Sequence, residues 1–166
     1  VGGKPTTDAV LAGTAVGGQH ALATGATGGL GIETARALAS KGASVTIAGR
    51  SPEKIEAALS TLREEVPGAS FDGEEVDLAS LANIQAATKR IVEQGRSIDM
   101  MILNAGVMMC TEGQTADGFE TQTGTNHFGH FALTGGIMSV IATGGRVVTL
   151  SSTAHSRGQC DLDDLN

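Results

Sequence analysis

The stretch from Thr24 to Gly31, reading TGATGGLG, is the part of this chain best suited to chemistry. Its glycines at 25, 29 and 31 follow the spacing G-x-x-x-G-x-G. Residues without a Cβ let backbone amides come close to an anion. A helix that begins at such a turn adds free N–H groups and the positive end of its dipole. The chemistry implied is the cradling of a diphosphate, with Gly25, Thr27, Gly28, Gly29, Leu30 and Gly31 as candidate contacts. Turns also use glycine for steric reasons alone, so the reading depends on the loop lying between a strand and a helix. About twenty residues further on, a dinucleotide-binding chain that prefers NAD carries a carboxylate for the adenosine ribose. Here Gly49-Arg50-Ser51 stands in that place, with no carboxylate. A planar guanidinium and a hydroxyl suit a phosphate, so Arg50 and Ser51 favour NADP(H) over NAD. A solvated arginine following a strand is the competing reading.

The elements that must hold these residues alternate. HALATG reads as a strand and is followed by a helix over 29–41, with Ile32, Ala35, Leu38 and Ala39 on one face. ASVTIAG is the next strand. Ser51 then fits an N-cap with Pro52 at the first helical position, and that helix ends before Pro67. SFDGEEVD is a weaker strand, 78–94 a helix ended by Gly95, and IDMMILNAG a fourth strand, apolar enough to be covered on both faces. A long helix is expected over 117–141, with Gly135 and Gly136 weakening its second half, and GRVVTLSS is the fifth strand. Regular alternation of strand and helix predicts an α/β fold, a doubly wound parallel sheet forming a single domain over 1–166.

Several further landmarks appear in an order that resembles the short-chain dehydrogenase/reductase family. After the glycine loop come Asp77-Leu78, then Asn104-Ala105-Gly106, then Asn126 within TNHFGHF, then Ser151-Ser152 at the end of VVTLSS. The resemblance implies a Rossmann fold and an enzyme interconverting an alcohol and a carbonyl. It further implies that Asp77 and Leu78 sit on the adenine side, that Asn104, Ala105 and Gly106 back the cofactor, and that Asn126 and Ser152 are catalytic, with Ser151 as the fallback. The serine would hydrogen-bond the substrate oxygen and the asparagine would support a water-linked proton path. The segments TTDAVLAG, ETARALASKGA and SSTAHSRG look most like the retinol dehydrogenase and WW-domain oxidoreductase branch, which implies a lipophilic alcohol or aldehyde as substrate. Family members often pair through the helix that holds Asn126, so a homo-oligomer is an expectation as well.

One expected part is missing. In the family a tyrosine donates the proton and a lysine four residues later lowers its pKa; this sequence contains no tyrosine, and its last lysine is Lys89. The expected Y-x-x-x-K would fall just after DLDDLN, so the chain reads as an N-terminal part ending after the fifth strand, nearly inactive by itself. A non-catalytic dinucleotide sensor is the alternative function.

Composition narrows the rest. The 24 glycines are roughly twice the usual share, without a collagen period. A net charge of −7 argues against a nucleic-acid partner. The apolar run over 9–16 is too short to span a membrane. Cys110 and Cys160 lack ligand-spaced partners, which points to a reducing, cytoplasmic setting and away from zinc. His127 and His130 have i, i+3 spacing but no third ligand, so surface or packing roles are expected. Met100, Met101, Met108 and Met109 are expected in the core, with the last two as candidates for lining a lipophilic pocket. The fifth strand, if left as an edge, predicts poor solubility.

Overall fold

A computed structural model describes residues 6–153 and Ser156. Cys160, most of SSTAHSRG beyond Thr153, and DLDDLN therefore lie outside the described residues. A short helix α1 (Thr7–Val10) precedes β1 (His20–Thr24), α2 (Gly29–Ser40), β2 (Ser44–Gly49), α3 (Pro52–Glu65), β3 (Phe71–Glu75), α4 (Leu81–Glu93) and β4 (Ile98–Leu103). Then follow α5 (Thr121–Thr123), a π turn (Gly124–Phe128), α6 (Gly129–Ile137), a 3₁₀ turn (Met138–Val140) and β5 (Ile141–Thr149).

The five strands form one parallel sheet in the order β3-β2-β1-β4-β5. Successive residues of a strand face opposite sides, and β1 shows it: Ala21 and Ala23 join one core cluster, Leu22 the other. The first cluster packs Val45 and Ile47 of β2 against Ala35 of α2 and Leu59 and Leu62 of α3. The second packs Met101 of β4 against Ile84 and Ile91 of α4 and Leu133 and Ile137 of α6. Helices thus cover both faces of β1, β2 and β4, whereas β5 stays largely exposed, and all five residues of β1 are buried. Strand order reverses beside β1, between its neighbours β2 and β4. In such sheets a crevice opens at that point, outside the carboxyl ends of the strands.

Local chemistry set most element boundaries. Ser51 caps α3 by accepting from Lys54 N–H at 3.3 Å, with Pro52 at the first position. Gly42 follows α2 at φ 95°, a left-handed conformation that glycine adopts without strain.

Three expectations are corrected. The helix expected from residue 78 begins at Leu81, because Ser80 caps it through Asn83 N–H at 3.3 Å. The helix expected from 117 begins at Thr121. Asp117 accepts from Leu81 N–H at 2.8 Å, and Glu120 caps the later helix through the Gln122 and Thr123 amides. Nor does that helix reach 141: it ends at Ile137, and β5 starts at Ile141 because Ile141 pairs with Ile98 across a register shift. Of the methionines expected in the core, Met101 is fully buried, whereas Met108 and Met109 are 74% and 87% exposed.

Candidate functional site

The carboxyl ends of β1 to β4 meet at a cleft of about 380 Å³. Thr24 and Gly25 come from the end of β1, Gly49 and Arg50 from β2, Val76 and Asp77 from β3, and residues 104–107 from β4. A shallower groove beside it runs between the start of α2 and α3, lined by Gly28, Ile32, Ala58 and Thr61; Gly25, Thr27 and Lys54 line both.

The glycine loop lies at the junction of β1 and α2. Gly25 has φ 64°, and a Cβ there would sit 2.7 Å from Ala105 Cα. At Gly31 a Cβ would lie 2.3 Å from Gly25 O and 2.6 Å from Asn104 Nδ2. Both glycines are therefore imposed by packing of the loop against β4 and its own helix. Gly28 and Gly29 differ: a Cβ at either would meet nothing within 4 Å, so the surface there is open. The first helical bond is Ile32 N–H to Gly28 O at 3.3 Å. The Gly29, Leu30 and Gly31 amides thus enter the helix ahead of any helical acceptor, with the dipole's positive end behind them. Leu30 points its side chain to solvent at 77% exposure, so only its backbone serves the loop.

Thr24 and Asn104 tie the loop to the end of β4. Thr24 Oγ1 accepts from the Asn104 and Ala105 amides, each at 3.0 Å. Asn104 Nδ2 donates to Thr24 O at 3.1 Å and Gly25 O at 3.3 Å. At the end of β3, Asp77 Oδ1 accepts from Ala79 N–H at 3.0 Å, while the Asp77 amide donates to Asn83 Oδ1 at 2.8 Å. That turn presents Asp77 and Leu78 to the cleft.

At the end of β2, Arg50 is exposed and lines the cleft. Ser51 lines it too, but its hydroxyl donates to Glu53 Oε2 at 2.7 Å and accepts from Lys54 N–H. That hydrogen bond holds the Glu53 carboxyl below its ordinary range. The expected hydroxyl donor is therefore already engaged. The residue that sequence reasoning missed is Lys54, whose side chain lies in the first turn of α3 and lines both cavities. Its position three residues past an N-cap serine was the available signal. Thr121 and Thr125 also line the cleft, placed there by the start of α5 and the π turn.

Asn126 and Ser152 stand apart from this lining. Asn126 makes two bonds to one backbone unit: Val107 N–H donates to its Oδ1 at 2.8 Å, and its Nδ2 donates to Val107 O at 2.8 Å. Ser152 lies beyond β5 and is exposed, like Ser151. His127 is exposed and His130 buried, and among the described residues no His, Cys, Asp and Glu cluster is arranged to hold a metal. Among them, too, no helix is long and apolar enough to cross a membrane.

A parallel sheet whose strand order reverses above a glycine loop defines a nucleotide-binding α/β protein. The family model described as short chain dehydrogenase matches residues 19–161, and the chain belongs to that family. It is 41% identical over 151 residues to human retinol dehydrogenase 13, covering 90% of this chain and 46% of that protein. To retinol dehydrogenase 12 of Mus musculus it is 40% identical over 166 residues, covering 99% and 51%. The resemblance to the retinol dehydrogenase branch is borne out, and the chain spans about half the length of these relatives. Among solved structures, an uncharacterized protein from Mycobacterium paratuberculosis superposes with a TM-score of 0.79 at 40% identity, covering 92% of this chain and 53% of that one. A short-chain dehydrogenase/reductase mutant from Serratia marcescens gives 0.72 at 26% identity, covering 86% and 59%.

Proposed function

We propose that this chain forms the dinucleotide-binding part of an NADP(H)-dependent oxidoreductase that interconverts an alcohol and a carbonyl. The observation that carries this reading is one cleft lined by Gly25 and Thr27 of the glycine turn together with Arg50 and Lys54. The turn's free amides fit a diphosphate. Arg50 and Lys54, with no carboxylate in Gly49-Arg50-Ser51, fit a ribose 2′-phosphate better than a bare 2′-hydroxyl. The nicotinamide, when bound, supplies or accepts the hydride. The chain's own contributions are the cradle, the anchoring of the adenine side by Asp77 and Leu78, and the backing of the cofactor by residues 104–106.

In this reading Ser152 hydrogen-bonds the substrate oxygen, and Asn126 acts by clamping the backbone of Val107, which lines the cleft. Met108 and Met109 follow immediately and are exposed, which supports a lipophilic substrate of the alcohol or aldehyde class. Pairing of two copies through the helix of Asn126 belongs to the same reading, supported by the exposed Phe131 and Met138 seven residues apart. The low cysteine content supports a reducing, cytoplasmic setting.

A second reading is a dinucleotide sensor without turnover, which the same cradle would serve. Titration with NADPH and NADH tests the first reading: tighter binding of NADPH supports it, and binding of neither ends it. An alcohol-dependent change in NADPH absorbance by the whole gene product separates enzyme from sensor.

A further inference from the structure

We infer that His130 is a positioning residue whose neutral ring, protonated at Nδ1, ties the π turn carrying Asn126 to the floor of the dinucleotide cleft, so that protonating Nε2 loosens both. The ligand named here rests on the dinucleotide reading of the cleft; the ring geometry does not.

His130 is 4% exposed. Its Nε2 lies 2.8 Å from Thr24 Oγ1 and its Nδ1 lies 2.9 Å from the Asn126 carbonyl oxygen. A hydroxyl has two lone pairs and one proton. The Asn104 and Ala105 amides already occupy the lone pairs of Thr24 Oγ1. Thr24 is left to donate, and Nε2 at 2.8 Å is a closer acceptor than Ile102 O at 3.4 Å. The lone pair of the ring is thereby placed on Nε2 and its proton on Nδ1, where it meets Asn126 O.

These contacts close a circuit. Residues 104–107 form one wall of the cleft. At one end Thr24 holds the amides of 104 and 105; at the other Asn126 holds both backbone groups of Val107. His130 is the link between the two holders. It sits two residues past the π turn, in which Gly129 N–H reaches back five residues to Gly124 O. Single π turns inside helices concentrate at functional sites.

Protonation works against every part of this arrangement. A proton on Nε2 would face an oxygen with no free lone pair, so one of the two amide bonds to Thr24 Oγ1 would have to open. Burial already holds the ring below the ordinary histidine range, opposed by the Asn126 carbonyl and assisted by His127. Among the described residues, His127 is the one titratable neighbour acting on it. On α4, which packs against α6, Lys89 pairs with Glu93 and Arg90 with Glu74; on β4, Asp99 accepts from the His20 amide. Thr24 is the group of β1 that faces the ring.

The test combines ¹⁵N NMR of the histidine rings between pH 5 and 8 with NADPH and NADH titrations over the same range. These are made on the native chain, His130→Asn and His130→Gln, each variant keeping the reach of one of the two ring bonds. The expected result is an Nδ1–H tautomer at pH 8 and an NADPH Kd that rises by up to about tenfold per pH unit once the ring titrates. Both variants should bind roughly five- to tenfold more weakly at pH 8 and lack that share of the pH slope. An Nε2–H tautomer, or identical slopes in native and variant proteins, overturns the proposal. Failure of the native chain to bind either nucleotide at pH 8 removes the dinucleotide reading and the linkage with it, while the tautomer still decides the ring's role.

Discussion

Gly25 and Ala105 touch so closely that a Cβ on the first would stand 2.7 Å from the Cα of the second. The glycine belongs to the turn after β1 and the alanine to the segment after β4, so the contact sets the depth of the cleft between them. Gly25 also has φ 64°. Gly25→Ala therefore meets both a clash and a backbone penalty. Unfolding in urea should show a loss of about 1–3 kcal/mol from strain alone, with nucleotide affinity falling further. Unchanged stability would mean that the loop does not sit against Ala105.

Arg50 and Lys54 are the cations of the cleft's β2 side. A charge-assisted hydrogen bond contributes about 1.5–3 kcal/mol, so Arg50→Asp should raise the Kd for NADPH by at least about tenfold. NADH binding should change little, and Lys54→Gln should show the same selectivity to a smaller degree. Isothermal titration at two salt concentrations checks this. Equal losses for both nucleotides would place the two cations outside the 2′-phosphate site.

Acid stability carries a signature of the buried histidines. His20 and His130 are both held below the usual histidine value, chiefly by burial. The unfolded chain then binds protons that the folded chain refuses, so stability is complete above about pH 6.5 and falls as pH drops toward the folded values. Glu33 marks a separate window. The Arg36 and Thr7 hydrogen bonds lower it to about 2, so its contribution is kept above about pH 4.5 and lost only below. Melting temperature followed from pH 7.5 to 5 should decline before any such carboxylate titrates, and less so in His20→Asn. A flat profile across that range would contradict the neutral assignment of both rings.

Glu74 is buried on β3 and is held by Arg90 at 2.7 Å, with Gln94 at 3.4 Å. Arg90→Ala would leave the carboxylate without its cation, at a cost of about 3 kcal/mol. The double change Glu74→Leu with Arg90→Leu removes the stranded charge and should recover much of that loss. Chemical denaturation of Glu74→Leu, Arg90→Leu and the double variant measures the coupling, and additive losses would show that the pair does not act together.

Val147 and Val148 on β5 face opposite sides of the sheet and are 41% and 49% exposed. Among the described residues β5 is an edge, and such an edge favours pairing between copies. The isolated 166-residue chain should therefore self-associate at high concentration, and Val148→Lys should reduce it. Sedimentation as a single monomer at all concentrations, with a cooperative melt, would contradict this.

Much of the molecule was legible in its sequence because the relevant forces are local. Alternating apolar runs, Ser51 before Pro52, and Gly42 after a helix each act within one turn, and they predict the strands, the caps and the doubly wound class. The glycine loop was legible because its glycines fall between a strand and a helix that are themselves read from local pattern. What tertiary structure decided were the contacts between residues distant in the chain. Asp117 looks like the start of its own helix, yet its carboxylate caps α4 at Leu81, thirty-six residues earlier. Ile141 looks like the end of a helix, yet it pairs with Ile98. The hydroxyl of Ser51 invites a phosphate but donates to Glu53, and Lys54 lines the cleft beside it. Asn126 was recognisable by its place in a motif, but only the fold shows its amide closed on the backbone of Val107. Periodicity and caps reach three or four residues along the chain, and the partners of a polar group are chosen by whatever packing brings within about 3 Å.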